Sequence, residues 1–380
     1  KLGFLIFPMI FLFSDMSYMN RQRLKAIGNA LILGCVVYFL VNLFYAGYDV
    51  CFNEYTKQRF FDEYLMKFCP MHHAYVSMYF ALGMMFCFNE IFGEGSRRAK
   101  IINIIAYVLL AIFIVLASSR AGMLFMILLF VVQFIWIVFV MKKTKVGLIT
   151  GGVFLAAVIA FVLILPNGFT RISTTVRNVT EENRADKRVV QMRGYNAVLR
   201  ENWLFGVGTG DRSDETVKSY RNYRAMILDT IGWPAADCIN KAMAECRQCE
   251  MDSIHAIVRG QADKYGFNAD VVDNCLEDYA YINYAIDRGL NAHNMFFDTI
   301  ISVGIIGLLL LLAYFVIPLV LWIKTKRFDM LYCSFLLMIG FNALFESVFE
   351  VQMGIIFFCF FNALLFRENF VSGNLLKAKE

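Results

Sequence analysis

Hydrophobic residues in this chain gather in long continuous runs instead of alternating with polar ones. Nine runs can be laid out: Leu2–Phe13, Ala26–Tyr45, Ala74–Phe92, Ile101–Ala117, Ala121–Met141, Val146–Leu165, Met295–Ile323, Met330–Phe345 and Val351–Phe366. A bilayer-spanning helix needs about 20 mainly apolar residues. All runs except the first and the penultimate approach or exceed that length, and none holds an internal Lys or Arg. Lipid leaves a bare backbone unsatisfied, so such runs must be helices or closed barrel strands. Their continuity favours helices. The predicted fold class is all-α: a polytopic transmembrane helical bundle of about nine spans with a large, mostly helical loop. Its parts are N-terminal spans over 1–165, the loop domain over 166–293, and C-terminal spans with a tail over 294–380. Leu2–Phe13 is only half a spanning length, and the chain begins at Lys1 with no initiator Met. A helix cut at its start, with leading spans missing, is the expectation.

Composition agrees with this pattern. Of 380 residues, 59% are hydrophobic and 18% charged, with 38 Phe and only 5 Pro. Soluble domains are nearer half apolar and a quarter charged. A disordered chain, a coiled coil and an ordinary soluble enzyme are excluded. Half of the charged residues fall within 166–293; the others cluster in short loops. The net charge of +5 therefore belongs to those loops and gives no sign of nucleic acid. Every second connection is basic: Arg21, Arg23 and Lys25; Arg97, Arg98 and Lys100; Lys142, Lys143 and Lys145; Lys324, Lys326 and Arg327; and the tail with Arg367, Lys377 and Lys379. The positive-inside rule puts these in the cytoplasm. The connections 46–71, 118–120, 166–293 and 346–350 then lie outside, although 46–71 also carries three basic residues. The polar residues at span ends fall on the outer side: His72, His73, Arg120, His293, Glu346 and Glu350.

Within the loop, 181–203, 213–228, 237–259 and 269–288 read as helices, and Trp233-Pro234 marks a break. Much of the domain is expected to lie on the membrane surface as amphipathic helices. Four cysteines fall here: Cys238, Cys246, Cys249 and Cys275. A zinc reading of Cys246-x-x-Cys249 with Cys238, Cys275 or His255 lacks a standard spacing. Disulfides among the four fit an oxidising periplasm, and free buried thiols are the plain alternative. Cys51 and Cys69 flank the first outer loop, while Cys35, Cys87, Cys333 and Cys359 sit in or beside spans as small apolar residues.

Three outer segments carry candidate chemistry. The first is Ala117-Ser118-Ser119-Arg120-Ala121-Gly122. The second is Arg193-Gly194-Tyr195-Asn196-Ala197, followed by Asn202-Trp203-Leu204-Phe205-Gly206-Val207-Gly208-Thr209-Gly210-Asp211. The third is Leu290-Asn291-Ala292-His293-Asn294-Met295. Two more stretches accompany them, His72-His73-Ala74-Tyr75 and Glu346-Ser347-Val348-Phe349-Glu350. In order, spacing and local residues these segments resemble the O-antigen ligase / O-antigen polymerase superfamily, over nearly the whole chain.

The resemblance implies a membrane glycosyltransferase that needs no metal or cofactor. It implies a donor glycan on undecaprenyl diphosphate, an acceptor hydroxyl on a lipid A core or another glycan, and a site at the periplasmic face of the bacterial inner membrane. It also implies surrounding membrane lipid and other components of polysaccharide assembly as partners. The family's essential Arg, Arg and His correspond to Arg120, Arg193 and His293, with Asn294, His72, His73, Tyr75, Glu346 and Glu350 as substrate-binding candidates. Arginine grips phosphate with two donors and stays charged, so two of them stabilise a leaving diphosphate. A histidine near neutral pKa suits a general base.

Plainer readings stand beside these. Arg120 also reads as an interfacial anchor, Arg193 as one of 16 basic residues of the loop, and His293 as a polar cap. His72 and His73 also suit structural hydrogen bonding. Glu346 and Glu350, four apart, would share a helix face. The Gly206–Gly210 run lacks the strand–helix frame of a nucleotide fingerprint and reads as a tight turn. Relative to the family pattern, residues near 224–284 look inserted. A repeat-unit polymerase of the same superfamily is the alternative function, and a flippase of lipid-linked sugars is the alternative of another class.

Overall fold

The computed structural model describes residues 6–7, 9–10, 13, 21–53, 57–117, 119–164, 187–245, 251–291, 293–326 and 328–372. Most of the Leu2–Phe13 run therefore lies outside the described residues. Among those described there is no strand. The main helices are α1 (Arg21–Phe52), α2 (His73–Phe92), α3 (Arg97–Leu116), α4 (Arg120–Ile135), α5 (Thr144–Ile164), α6 (Lys187–Asn202), α7 (Arg212–Ile231), α8 (Trp233–Glu245), α9 (Met251–Gly260), α10 (Ala269–Arg288), α11 (Met295–Thr325), α12 (Met330–Ala343) and α13 (Gln352–Arg367). Among the described residues six helical stretches are long and apolar enough to cross a membrane: Gln22–Phe52, His73–Phe92, Arg97–Leu116, Ala121–Val140, Met295–Thr325 and Gln352–Phe370. Each coincides with a predicted run. The run at 330–345 is a shorter apolar helix, Met330–Ala343. The fold is an all-α polytopic membrane protein.

The chain divides into two compact units, Lys1–Phe161 with Ala313–Glu380, and Val162–Leu312. In the first unit α2 is central, buried on almost every face, with α1, α3, α4 and α12 packed against it. Phe80 of α2 stacks on Phe113 of α3 at 4.1 Å between centroids. The outward sides of α3 and α4 carry apolar stripes at helical spacing: Ile101, Ile105, Val108 and Ile112, then Leu124, Ile127, Val131 and Ile135, all exposed. Water would not tolerate such faces; lipid does. One of the basic residues of the 46–71 connection finds a local explanation. Arg59 is 3% exposed and its Nε lies 2.6 Å from Asp49 Oδ2, so its charge is spent inside the protein.

The second unit is a helical cluster. α7 packs on α6 and α10, and α8 and α9 close against α10. Its core joins Tyr195, Tyr220, Ile239, Val258, Leu276, Ile282 and, from α11, Ile301. The helix expected over 237–259 is instead α8 and α9, on either side of residues outside the description. Gly232, at φ +80°, ends α7 before Trp233-Pro234 opens α8.

Helix α11 is broken at Gly304, which has φ 68° and ψ −167°, a region essentially restricted to glycine. The glycine-rich turn after α6 occupies the break. Val207 N–H donates to Ile301 O (2.7 Å), Gly208 N–H to Ser302 O (3.0 Å), and Ile305 N–H to Trp203 O (2.9 Å). A Cβ on Gly304 would overlap the Leu204 carbonyl. Gly304→Ala should therefore cost at least the ~1–3 kcal/mol of a strained backbone, read as a lower unfolding temperature of the detergent-solubilised protein. Gly152→Ala, which meets nothing within 4 Å, should be neutral or slightly stabilising.

Candidate functional site

In the first unit, three of the predicted groups come to one end of the bundle. α2 starts there with His72 at its N-cap and His73 in its first turn. The two imidazoles stack at 4.4 Å, and His72 meets the Tyr75 ring edge at 5.7 Å. α4 starts beside it. Ser119 caps this helix by accepting the Gly122 N–H at 3.2 Å, which fixes Arg120 as its first residue. A Cβ on Gly122 would lie 2.5 Å from Ser77 Oγ, so a glycine is what lets α4 approach α2 here. The third group enters through Tyr75, whose hydroxyl faces Ser347 O at 3.5 Å. Two helix starts at one end direct positive dipole ends there.

One expectation needs correction. Glu346 and Glu350 do not share a helix face. α12 ends at Ala343, Ser347 leaves helical geometry at φ −82°, ψ 66°, and Glu350 closes a separate 3-10 turn. The buried Ser347 carbonyl accepts from Glu350 N–H (2.9 Å) and faces Tyr75, a use that a continuing helix would forbid. Both glutamates are half-buried. A cavity of about 200 Å³ lies at the other end of the same helices, lined by Phe88, Phe92, Gln133, Trp136, Phe328 and Ser334 among others. It is remote from the end that carries His72, His73 and the start of α4.

In the second unit, α6 carries Arg193 and, two residues on, buried Tyr195. The Tyr195 hydroxyl donates to Leu290 O at 3.3 Å, which ties the arginine helix to the segment leading into His293. Tyr195 also meets Tyr220 edge-on at 5.7 Å. Burial pushes both phenols well above the ordinary tyrosine range, and the nearby Asp298 carboxylate adds to this. Both hydroxyls therefore stay protonated at neutral pH.

His293 stands in the turn between α10 and α11 with φ +45°, an uncommon conformation for a residue with a Cβ. Its N–H donates to Asn291 Oδ1 at 3.3 Å. Asn294 Oδ1 accepts from Phe296 N–H (3.0 Å) and Phe297 N–H (3.1 Å), so this amide oxygen is the N-cap of α11. One turn later Asp298, 1% exposed, pairs with Arg212 at 2.8 Å. The left-handed histidine is thus held between a side-chain turn on one side and a capped, charge-pinned helix start on the other.

Arg212 and Asp298 form a pair beside the His293 turn that the sequence alone does not single out. Asp298 carried a usable signal, as a carboxylate inside an apolar run demands a partner; nothing in the sequence marks Arg212 as that partner. Of the loop cysteines, Cys246 and Cys249 lie outside the described residues. Cys238 is a buried free thiol and Cys275 a half-buried one, and burial raises the pKa of both. His255 faces two carboxylates, Nδ1 at 3.1 Å from Asp273 and Nε2 at 3.7 Å from Glu277. Among the described residues no group of three or more His, Cys, Asp or Glu is placed to hold a metal ion.

The ion pair generates a quantitative expectation. Breaking a buried pair by removing one partner costs about 3–5 kcal/mol, whereas replacing both by apolar residues is often neutral. Asp298→Ala should destabilise the protein by that amount, and Asp298→Leu with Arg212→Met should recover most of it. Thermal unfolding of the single and double variants checks this.

Residues 105–237 match the family model described as O-antigen ligase. No curated protein and no solved structure matches the chain. The matched stretch contains Arg120, Arg193 and the glycine turn that enters the α11 break, and it stops at Asp237, within the stretch that looked inserted. The match covers about a third of the chain, and with the helical fold and the span-length helices among the described residues it supports a likeness to the O-antigen ligases.

Proposed function

We propose that this enzyme transfers a glycan from undecaprenyl diphosphate to an acceptor hydroxyl, as an O-antigen ligase-like glycosyltransferase of the bacterial inner membrane. Its site faces the periplasm. The observation that carries the reading is that Arg120 and Arg193 both fall inside the matched stretch, while Tyr195 ties the Arg193 helix to the His293 turn. Basic loops at the Lys142 and Lys324 ends support the orientation.

The chemistry follows from the residue types. The bond between the sugar anomeric carbon and the diphosphate oxygen breaks as the acceptor oxygen bonds to that carbon. Negative charge then collects on the leaving diphosphate, where the guanidinium groups of Arg120 and Arg193 stabilise it. His293 takes the proton of the acceptor hydroxyl. Asn294 holds the turn that presents His293, and the start of α11 adds its positive end for phosphate. His72, His73, Tyr75, Glu346 and Glu350 would contact substrate at the first unit's polar end. The acceptor is assigned to a lipid A core sugar; the polymerase reading differs only in that the acceptor is another repeat unit.

His293→Ala and Arg120→Ala should each abolish transfer in a complementation assay, with membrane insertion intact. A lost general base alone costs about 10²–10⁴-fold. Normal transfer by both variants contradicts the mechanism. Chelation of divalent metal should leave the rate of the purified enzyme unchanged, since this reading assigns the diphosphate charge to arginines. Chemical analysis of the product, as core-linked glycan or lengthened repeat, decides between ligase and polymerase.

A further inference from the structure

We propose that the Trp203-Leu204-Phe205 loop is an interfacial anchor, seated at the headgroup–acyl boundary of the bilayer, and that it fixes the height of the α11 break in the membrane. Three consecutive large apolar side chains are unusually open here: Trp203 is 53% exposed, Leu204 42% and Phe205 74%. They do not sit on a slack loop. Trp203 O accepts from Ile305 N–H, and the following residues bond to Ile301 and Ser302. Gly206 is packed so closely that a Cβ would lie 2.6 Å from the Ser302 carbonyl carbon. The backbone that presents these side chains is therefore held to α11.

The position along α11 identifies what covers them. Lys324 and Lys326 mark where this helix leaves the hydrocarbon at one end. Counting about 20 residues back from Ile323, the length that crosses the hydrocarbon core, reaches Gly304. The loop thus meets the helix at the opposite hydrocarbon boundary, the zone where Trp and other amphipathic rings settle. Val303, Ile306, Leu309 and Leu310 of α11 are exposed too, so the loop's apolar surface continues that of a spanning helix. An occupant of bilayer lipid accounts for the open side chains, the register and this continuity together.

The chain has four tryptophans, Trp136, Trp203, Trp233 and Trp322. With Trp136→Phe, Trp233→Phe and Trp322→Phe, the full chain reports from Trp203 alone. It is reconstituted into phosphatidylcholine–phosphatidylglycerol vesicles, either plain or brominated near the glycerol end of the acyl chains. We expect bromination to lower the emission by about twofold while aqueous iodide quenches weakly, as an interfacial ring requires. Strong iodide quenching without bromolipid quenching would place the loop in water and overturn the proposal. Resistance to both quenchers would mean that protein covers the loop, and would overturn the proposal equally. Adding Trp203→Phe and Phe205→Trp moves the reporter along the loop and should give the same result. If the triple variant misfolds, Trp203→Phe in the otherwise native chain should remove a bromolipid-quenchable share of the emission; no such loss overturns the proposal.

Discussion

The break at Gly304 is the constraint on which the packing of the glycine turn against α11 depends. An unbroken α11 would use its own backbone bonds throughout and leave nothing for another segment to join. The glycine at φ 68° interrupts that ladder, and the turn after α6 fills the gap with three backbone hydrogen bonds. Each is worth only about 0.5–1.5 kcal/mol net, but leaving the freed groups buried and unpaired would cost more. Through this junction the arginine-bearing helix and the histidine-bearing turn belong to one cooperative piece. Tyr195 to Leu290 and Arg212 to Asp298 close it from two further sides.

The polar chemistry concentrates where helices begin or end. Ser119 caps the helix that Arg120 starts, Asn294 caps the helix that follows His293, and His72 precedes the helix of Tyr75. Such positions combine side-chain charge with unsatisfied backbone donors, which suits a diphosphate. The strain of His293 at φ +45° belongs to the same logic: the surrounding bonds hold a conformation that the residue would not choose alone.

The spans were legible because apolar length is a property of one segment at a time. The six runs from Ala26–Tyr45 to Val351–Phe366 that became span-length helices needed no knowledge of partners. Turn chemistry was partly legible: Gly206 marked a tight turn, though its docking into α11 depends on Gly304, far away in sequence. Glu346 and Glu350 misled because spacing of four implies one face only if the helix continues, and α12 stops at Ala343, before either glutamate. Arg212 was invisible among the charged residues of the loop, since only the fold brings it to Asp298. The match at 105–237 adds what neither spacing nor packing supplies, a likeness to the O-antigen ligases.

The central claim is a division of labour in which arginines hold the donor diphosphate and His293 moves a proton. Donor affinity and transfer rate, measured side by side with undecaprenyl-diphosphate-linked glycan on the purified enzyme, test it most directly. His293→Gln should bind donor as tightly as the native chain while transfer falls by about 10²–10⁴-fold, and Arg193→Gln should weaken binding itself. A His293→Gln enzyme that transfers normally, or that loses donor binding in proportion to its rate, would contradict the account.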